Sequence, residues 1–488
     1  MALGLLPVLA PPAFAQSNAA PPPPGDVQSG FDAPLPGRSS PTTPGQGGAG
    51  LEGGFSQDFS VPSGAQSEAE TPPAERIWSL AGFARLDGAY AYAHDAPPPI
   101  PPGQTDWRGL SKLRTTLELE FSLEMGPNWK AFVSGQAFRD FVYQLRGEAH
   151  YTQQVLDAYQ QEGEIREAWV RGTPVPSLDI KVGRQIVVWG KSDYIRVTDV
   201  LNPLDMREPG LTSLEDLRLP VTMAKVSYYT GPWSLTGIAI PEIRFNKNPV
   251  PGSDYFPYPS LPPEDKPTNG DGNTEWAASL SGIFSGWDLA FYWADVFNPD
   301  PYLADADNNL LNGLQPVQRH ARVHMAGTAG NVALGNWLLK AELAQFRGLR
   351  FANVPDRTFA RTDGMVGVEY SGFRDTTLGL EASDRHLLDH VPALDQYPDF
   401  QAEDVNQYVL TYQGTFLHDK LTAVGVLTAY GAKAEQGTLQ RYQLTYELAS
   451  ALNLTGGVLI YTPGQGDNFI LAAARNNDRA FFELKWSF

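Results

Sequence analysis

From residue 76 onward the chain alternates. In residues 111–124, Leu113, Thr115, Leu117, Leu119, Phe121 and Leu123 fall on one face, and Lys112, Arg114, Thr116, Glu118, Glu120, Ser122 and Glu124 fall on the other. A repeat of two residues over this length predicts a β-strand with one apolar and one charged face. A helix would bring Glu120 beside Glu124 and scatter the leucines. The same period returns toward the C-terminus, where Tyr442, Leu444, Tyr446 and Leu448 oppose Arg441, Gln443, Thr445 and Glu447. In the last strand Phe482, Leu484, Trp486 and Phe488 oppose Phe481, Glu483, Lys485 and Ser487. In residues 420–430, Val424, Val426 and Tyr430 share a face with Thr422 and Thr428, and the opposite row from Leu421 to Ala429 is also mostly apolar.

The connections sharpen the picture. Short ones occur at Gly126-Pro127-Asn128, Thr173–Ser177, Thr230-Gly231-Pro232, Ser285-Gly286, Asn331–Gly335, Gly372–Asp375, His418-Asp419 and Ser450-Ala451. Between and around them run longer ones at 94–110, 147–164, 191–218, 246–273, 298–317, 349–360, 384–403, 432–437 and 463–478. Short and long connections in strict turn are the pattern of an outer-membrane barrel, with tight periplasmic turns and long extracellular loops. Eight turns and nine loops predict 18 strands, with 16 as the alternative count. The expected fold is therefore all-β, a transmembrane antiparallel up-and-down β-barrel over residues 76–488. Tryptophan placement agrees: Trp129, Trp233, Trp287 and Trp337 sit at or just after short turns, Trp78 opens the first strand and Trp486 lies near the end of the last. An indole favours a membrane interface because its ring is apolar and its N–H needs a polar partner.

Composition narrows the function. The net charge of −19 excludes a nucleic-acid partner, which calls for a basic face. The absence of Cys excludes a disulfide framework, a thiolate metal site and a cysteine nucleophile. Residues 1–15 end in Ala13-Phe14-Ala15, which fits a signal-peptide cleavage site, though the usual basic start is missing, so the stretch reads as the remnant of a leader. Residues 16–75 are rich in Pro, Gly, Ser, Ala and Gln. Such a segment buries too little apolar surface to offset its ordering entropy, and it is expected to be a disordered periplasmic arm.

A barrel of this size encloses a space too wide for side chains to fill. Charged rows such as Arg114, Glu118 and Glu120 must face that space, since lipid would charge several kcal/mol for an Arg or Lys near its midplane. The expectation is a hydrated channel for passive passage of small or hydrophobic organic solutes, narrowed by the loop 191–218, the loop 246–273, or both. The second of these is stiffened by seven prolines and carries Tyr255, Phe256 and Tyr258, an aromatic patch a solute could touch. The expected partners are membrane lipid, the passing solute and the barrel assembly machinery, for which Trp486 and the terminal Phe488 resemble the recognition signal. Oligomeric state is left open, with a monomer favoured over a trimer because no flat outer face of small residues is evident.

Residues 178–205 carry Gly183-Arg184-Gln185, Trp189-Gly190, Asp193 and Asn202-Pro203-Leu204-Asp205, followed by Pro209-Gly210 and Leu219-Pro220. Over 178–229 this resembles a poorly characterised family of Gram-negative outer-membrane porin-like proteins that bears a domain-of-unknown-function label. The resemblance implies an outer-membrane barrel handling hydrophobic or bulky organic compounds, and it brings no catalytic residues. Read from the residues alone, Arg184 would point toward lipid. A bulge at Gly183-Arg184 is expected to turn it inward, to pair with Asp193, Asp199 or Asp205 and pin the 191–218 loop.

The same sequence offers rival chemistry. His320 and His324 lie too far apart along one strand to share a metal. Asp384, His386, Asp389 and His390 form an acid–His cluster in a long loop, but no nucleophile motif accompanies it. Asp305–Asn309 has the spacing of a loose Ca²⁺ loop without a bidentate Glu. No catalytic residue, metal or cofactor is expected. The alternative function is a barrel acting as a surface hydrolase, or as a structural anchor or export component.

Overall fold

The structure is a computed structural model. It describes residues 77–97, 105–212, 217–257, 260–270, 272–306, 315–464, 471 and 474–488. The expected leader and periplasmic arm lie outside the described residues.

Eighteen antiparallel strands form one closed sheet. They are β1 (Trp78–Ala91), β2 (Gly109–Glu124), β3 (Trp129–Asp140), β4 (Gln161–Val175), β5 (Leu178–Gln185), β6 (Val221–Thr230), β7 (Trp233–Ile240), β8 (Glu275–Phe284) and β9 (Trp287–Phe297). The circuit continues with β10 (Arg322–Leu334), β11 (Trp337–Leu349), β12 (Phe359–Phe373), β13 (Thr376–Leu388), β14 (Asp404–Phe416), β15 (Leu421–Tyr430), β16 (Gly437–Ala449), β17 (Leu452–Pro463) and β18 (Arg479–Ser487). Each strand pairs with its sequence neighbour, and β18 closes the ring on β1 with Phe83 opposite Ser487 and Ala91 opposite Arg479. Closure leaves no free sheet edge for lipid to meet. All eight short turns and all nine long loops fall where alternation placed them, and the count is 18.

Facing follows from register. Leu80 pairs Phe121, Ala84 pairs Leu117 and Leu86 pairs Leu484, so the apolar rows of β1, β2 and β18 share the outer surface. Leu117, Leu119 and Phe121 stand exposed there, as do Leu444, Phe482 and Trp486. Trp78, Trp129, Trp287 and Trp337 are likewise exposed at the rim with the short turns. Contrary to the expectation of no small-residue outer face, Gly330 faces Ala341 across β10 and β11, and Ala382 lies beyond Val366 on the same surface. With Trp287, Leu289, Leu343 and Tyr408 these residues line a shallow apolar groove.

The inner surface is not uniform. On β6 to β10 it is apolar: Met223, Ile238, Ala290, Tyr292, Ala294, Val296, Val323 and Met325 join one buried cluster. On β1, β2, β4, β16 and β18 it carries charge. Above the barrel, Glu264–Asp265, Tyr302–Asp305 and Pro316–Arg319 make a small separate sheet. The β3–β4 loop holds two short helices, α1 (Val142–Arg146) and α2 (Gln153–Tyr159), the second capped by the Thr152 hydroxyl accepting from the Val155 N–H at 3.3 Å.

Facing gives a direct test. Leu119→Arg on the outer row is expected to cost about 2–4 kcal/mol, while Ser122→Arg on the inner row stays near neutral, both read by urea titration of the barrel in lipid vesicles.

Candidate lumen site

Two loops enter the lumen where the wall is low. Strands β5, β6 and β7 have only 8, 10 and 8 residues, so β4 runs on past the end of β5 with one edge unpaired. The loop 186–220 leaves from the top of β5 and returns into β6. Asn202 ties its two ends together: its Oδ1 accepts from the Val187 N–H at 2.8 Å and its Nδ2 donates to the Leu219 carbonyl at 2.9 Å.

Between those ends the loop crosses the barrel. At its far reach, Glu342 on β11 accepts the N–H groups of Lys191 at 2.5 Å and Ser192 at 2.7 Å on one oxygen. The other oxygen takes the Thr198 N–H at 3.1 Å and its hydroxyl at 2.7 Å. Glu381 on β13 accepts the Asp193 N–H at 3.0 Å and the Ser192 hydroxyl at 2.7 Å. Lys340 bonds both Asp193 and Glu369. Successive amides wrapped around a carboxylate form an anion nest. Gly190 makes it fit: its φ of +92° suits glycine, and a Cβ there would lie 2.6 Å from a Glu342 oxygen.

The loop then swings back to the opposite wall. Glu208 receives Lys112 at 3.0 Å and Arg114 at 2.8 Å, both on β2. Burial would raise the Glu208 carboxyl, but Arg114 and Lys112 outweigh it and hold it well below the usual carboxylate range. Next along, Tyr461 donates to the Pro209 carbonyl and Arg441 donates to that of Gly210 at 2.5 Å. In a ring of 18 strands, β2 and β11 are nine apart, so the loop is a strap across the diameter.

The strap divides the interior. On one side Trp189, Tyr194, Ile195, Val197 and Leu201 pack into the apolar cluster of β6 to β15. On the other an open cavity of about 360 Å³ remains, walled by β1 to β4 and β14 to β18. Tyr159 and Lys247 reach it from the neighbouring loops.

Three of the named residues lie on the strap with basic partners of their own. Asp193 pairs with Lys340, Asp199 with Arg218 at 3.0 Å and Arg196 at 3.4 Å, and Asp205 with Arg207 at 2.6 Å. Arg114, Glu118 and Glu120 sit on the inward row of β2, with Gln136 donating to Glu118 at 3.0 Å.

Arg184 corrects the expectation. The β5 ladder is unbroken through Gly183 and Arg184, and the register shift lies instead in β4, opposite Ser134 and Gly135. Arg184 keeps its outward register with Ala168 and Thr222. Its partners are Glu242 at 2.5 Å and Glu164 at 2.9 Å, not Asp193, Asp199 or Asp205. Its Nε donates to the Ile165 carbonyl at 3.0 Å, filling the edge that β5 leaves bare. Gly183 allows the close approach, since a Cβ there would meet the Ala168 carbonyl oxygen at 2.2 Å.

The aromatic loop is also corrected. Tyr255 is 5% exposed, stacked under Arg479 and bonded to the Tyr461 hydroxyl at 3.0 Å, so it braces the wall. Phe256 is half-buried beside it, and Tyr258 lies outside the described residues. The acid–His cluster separates: Asp384 and His386 belong to β13, where His386 meets Asp404 at 2.7 Å, while His390 turns to the Gln401 carbonyl at 2.8 Å. His320 is not on a strand with His324; it stacks on Phe245 and reaches Glu264 at 2.8 Å. Part of the Asp305–Asn309 stretch is outside the described residues. Among the described residues no group of three or more His, Asp or Glu is placed to hold a metal ion.

Comparison with known proteins fits this architecture. A family described as protein of unknown function (DUF1302) matches residues 106–456. The chain belongs to that family. No curated protein matches it. Among solved structures it is similar to OccAB2 of Acinetobacter baumannii, at 11% identity and a TM-score of 0.50, covering 84% of this chain and 98% of that one. A BenF-like porin from Pseudomonas fluorescens Pf-5 is 12% identical with a TM-score of 0.49, covering 84% and 97%. OpdK of Pseudomonas aeruginosa is 12% identical with a TM-score of 0.47, covering 84% and 99%. At 11% identity the likeness to OccAB2 speaks to the fold alone. In this member of the DUF1302 family, Gly190, Asp193, Asn202 and Asp205 are the knots of the strap.

Sequence reasoning passed over Lys340, Glu342, Glu381 and Glu208, and it placed Arg441 on the charged inner row without its contact to the strap. Period two was signal enough for the wall residues: Lys340 and Glu342 alternate with Leu339, Ala341 and Leu343. Glu342→Leu removes four bonds to the strap, each to a charged acceptor. An expected loosening of about 3 kcal/mol, more than a hundredfold in the open population, would appear as faster tryptic cleavage after Lys191 and Arg196.

Proposed function

We propose that this protein is a passive outer-membrane channel for small or hydrophobic organic solutes, narrowed by the strap of residues 186–220. The carrying observation is the charged cavity of about 360 Å³ left open beside the strap inside a closed ring of 18 strands. A hydrated, mixed-sign passage through a lipid-facing barrel conducts unless it is plugged, and its transverse field sorts solutes by polarity. The loop 241–274 contributes to the constriction through Arg244 and Lys247, which bind Glu164 of β4 at 2.5 Å and 2.9 Å.

Around that core the reading extends further. Residues 1–15 act as a leader remnant and 16–75 as a periplasmic arm, with 76–488 as the barrel. Trp486 and Phe488 present the strand end read by the barrel assembly machinery. Chemistry at the surface forms no part of the reading, because the acid–His groups are tied into separate pairs.

Planar-bilayer recording tests it. The native barrel should give small ohmic steps, and Glu342→Leu combined with Glu381→Leu should raise unit conductance at least twofold by freeing the strap. A bilayer that stays sealed with both proteins would contradict the proposal.

A further inference from the structure

The barrel wall is incomplete beside the cavity. Strands β4 and β5 pair only as far as Ala168 and Arg184, so residues 161–166 of β4 have no strand beside them on that side, while β3 pairs them on the other. Arg184 stands six residues above Leu178 at its short turn. That is roughly 15 Å of height in a tilted strand, inside an apolar band about 25 Å tall. Bare backbone at such depth is tolerated only where protein covers it or water reaches it. The cover here is a pair of loop segments, 203–207 and 244–248. Asp205 bridges Lys247 in parallel, and the Lys247 N–H donates to the Leu204 carbonyl at 2.9 Å.

Among the described residues no backbone hydrogen bond joins that cover to β4. Side chains do it instead. Glu164 meets Arg184 at 2.9 Å, Arg244 at 2.5 Å and Lys247 at 2.9 Å. Glu162 meets Arg207 at 2.7 Å and Lys247 at 2.5 Å. Arg184 also holds Glu242, and Arg207 holds Asp205. The wall is one side chain deep at this seam: Glu162 and Glu164 line the cavity, yet Arg184, which grips Glu164, keeps the outward register. Ile165 and Val182 flank the seam on the outer face and are exposed there. Parting the ion pairs leaves both ladders whole, since β4 stays on β3 and β5 stays on β6.

The chemistry of the seam defines what could pass it. Its bridges join four cations to four carboxylates. An ionised head finds no unmatched partner among them, whereas a hydroxyl can donate to one member and accept from another. Outside, Ile165 and Val182 suit an apolar chain; inside, Phe138, Tyr194 and Phe481 offer apolar surface. We infer that the seam between β4 and segments 203–207 and 244–248 is a lateral portal, through which uncharged single-chain amphiphiles such as long-chain alcohols exchange between the outer leaflet and the cavity. The portal rests on the channel reading and gives that same cavity a second mouth, one that opens to lipid.

Photo-labelling of the full chain in phospholipid vesicles tests it. The probes are diazirine-tagged dodecanol in the membrane and diazirine-tagged glycerol in the water, with adducts located by mass spectrometry. The chain has no Cys, so introduced thiols are the only ones present. In native protein dodecanol is expected to label Ile165 outside and Phe138 inside. Glu164→Cys with Arg244→Cys, left unlinked, should keep the Phe138 adduct at or above the native level. Joining the two thiols with a short bismaleimide should lower that adduct at least tenfold and leave glycerol labelling of Phe138 within twofold. Heat-modifiable gel mobility reports whether each variant is folded. If the first pair fails to fold, Glu162→Cys with Arg207→Cys sets the same lock at the next bridge. No dodecanol adduct at Phe138 in native protein, an adduct unchanged by the linker, or equal losses of the dodecanol and glycerol adducts would overturn the portal. Bilayer current separates it from the channel reading: conduction with an adduct that the lock leaves unchanged defeats the portal alone, and a lock-dependent adduct without conduction defeats the channel alone.

Discussion

A carboxylate facing the inside of a membrane barrel must be satisfied from within, and so must the amides of a loop that leaves the sheet. Glu342 meets both demands at once. Its two oxygens take the backbone N–H groups of Lys191, Ser192 and Thr198 together with the Thr198 hydroxyl. Leaving either side unpaired in a confined space would cost more than the bonds return, so strap and wall hold each other in place. The rest of the interior depends on this attachment. With the strap fixed at β11 and at β2, one half of the lumen closes as a dry core and the other stays open.

That division explains features that a uniform channel would not. The strap brings Trp189, Ile195, Val197 and Leu201 to one side, and the strands facing them carry Met325, Ala344, Met365 and Val409. Toward the other side the strap turns Glu208, and the wall answers with Lys112 and Arg114. The low wall at β5 to β7 has the same origin: strands end early where loops must turn inward. Arg184 then completes the bare edge of β4 and lies among Glu164 and Glu242.

Much of the fold was legible because a barrel writes period two into every strand and alternates its connection lengths. The strand count and the Trp rim came from that alone. Where the period failed, the reading thinned. In β9, Leu289, Phe291 and Trp293 face out while Ala290, Tyr292, Ala294 and Val296 face in, so both faces are apolar and nothing in the string announces a dry half-lumen. Asp193 and Asp205 were recognisable from their motif and Asp199 from its place in the same loop, but their partners were not. Lys340 meets Asp193 only through closure of the barrel, whereas Arg207 stands two residues from Asp205 and Arg196 three from Asp199, pairs that the string held but did not single out. Arg184 was misassigned because its side chain turns along the end of a strand whose early stop no local pattern records. Tyr255 read as a solute contact because aromatic loop residues look alike whether they face water or brace a wall.

Native-state hydrogen exchange of the barrel in micelles tests the central claim most directly. The amides of Lys191, Ser192, Asp193 and Thr198 lie in irregular backbone, yet their bonds to Glu342 and Glu381 should protect them to within about tenfold of the β11 strand amides. Exchange of those four amides at the rate of an unstructured loop would show that no strap spans the lumen.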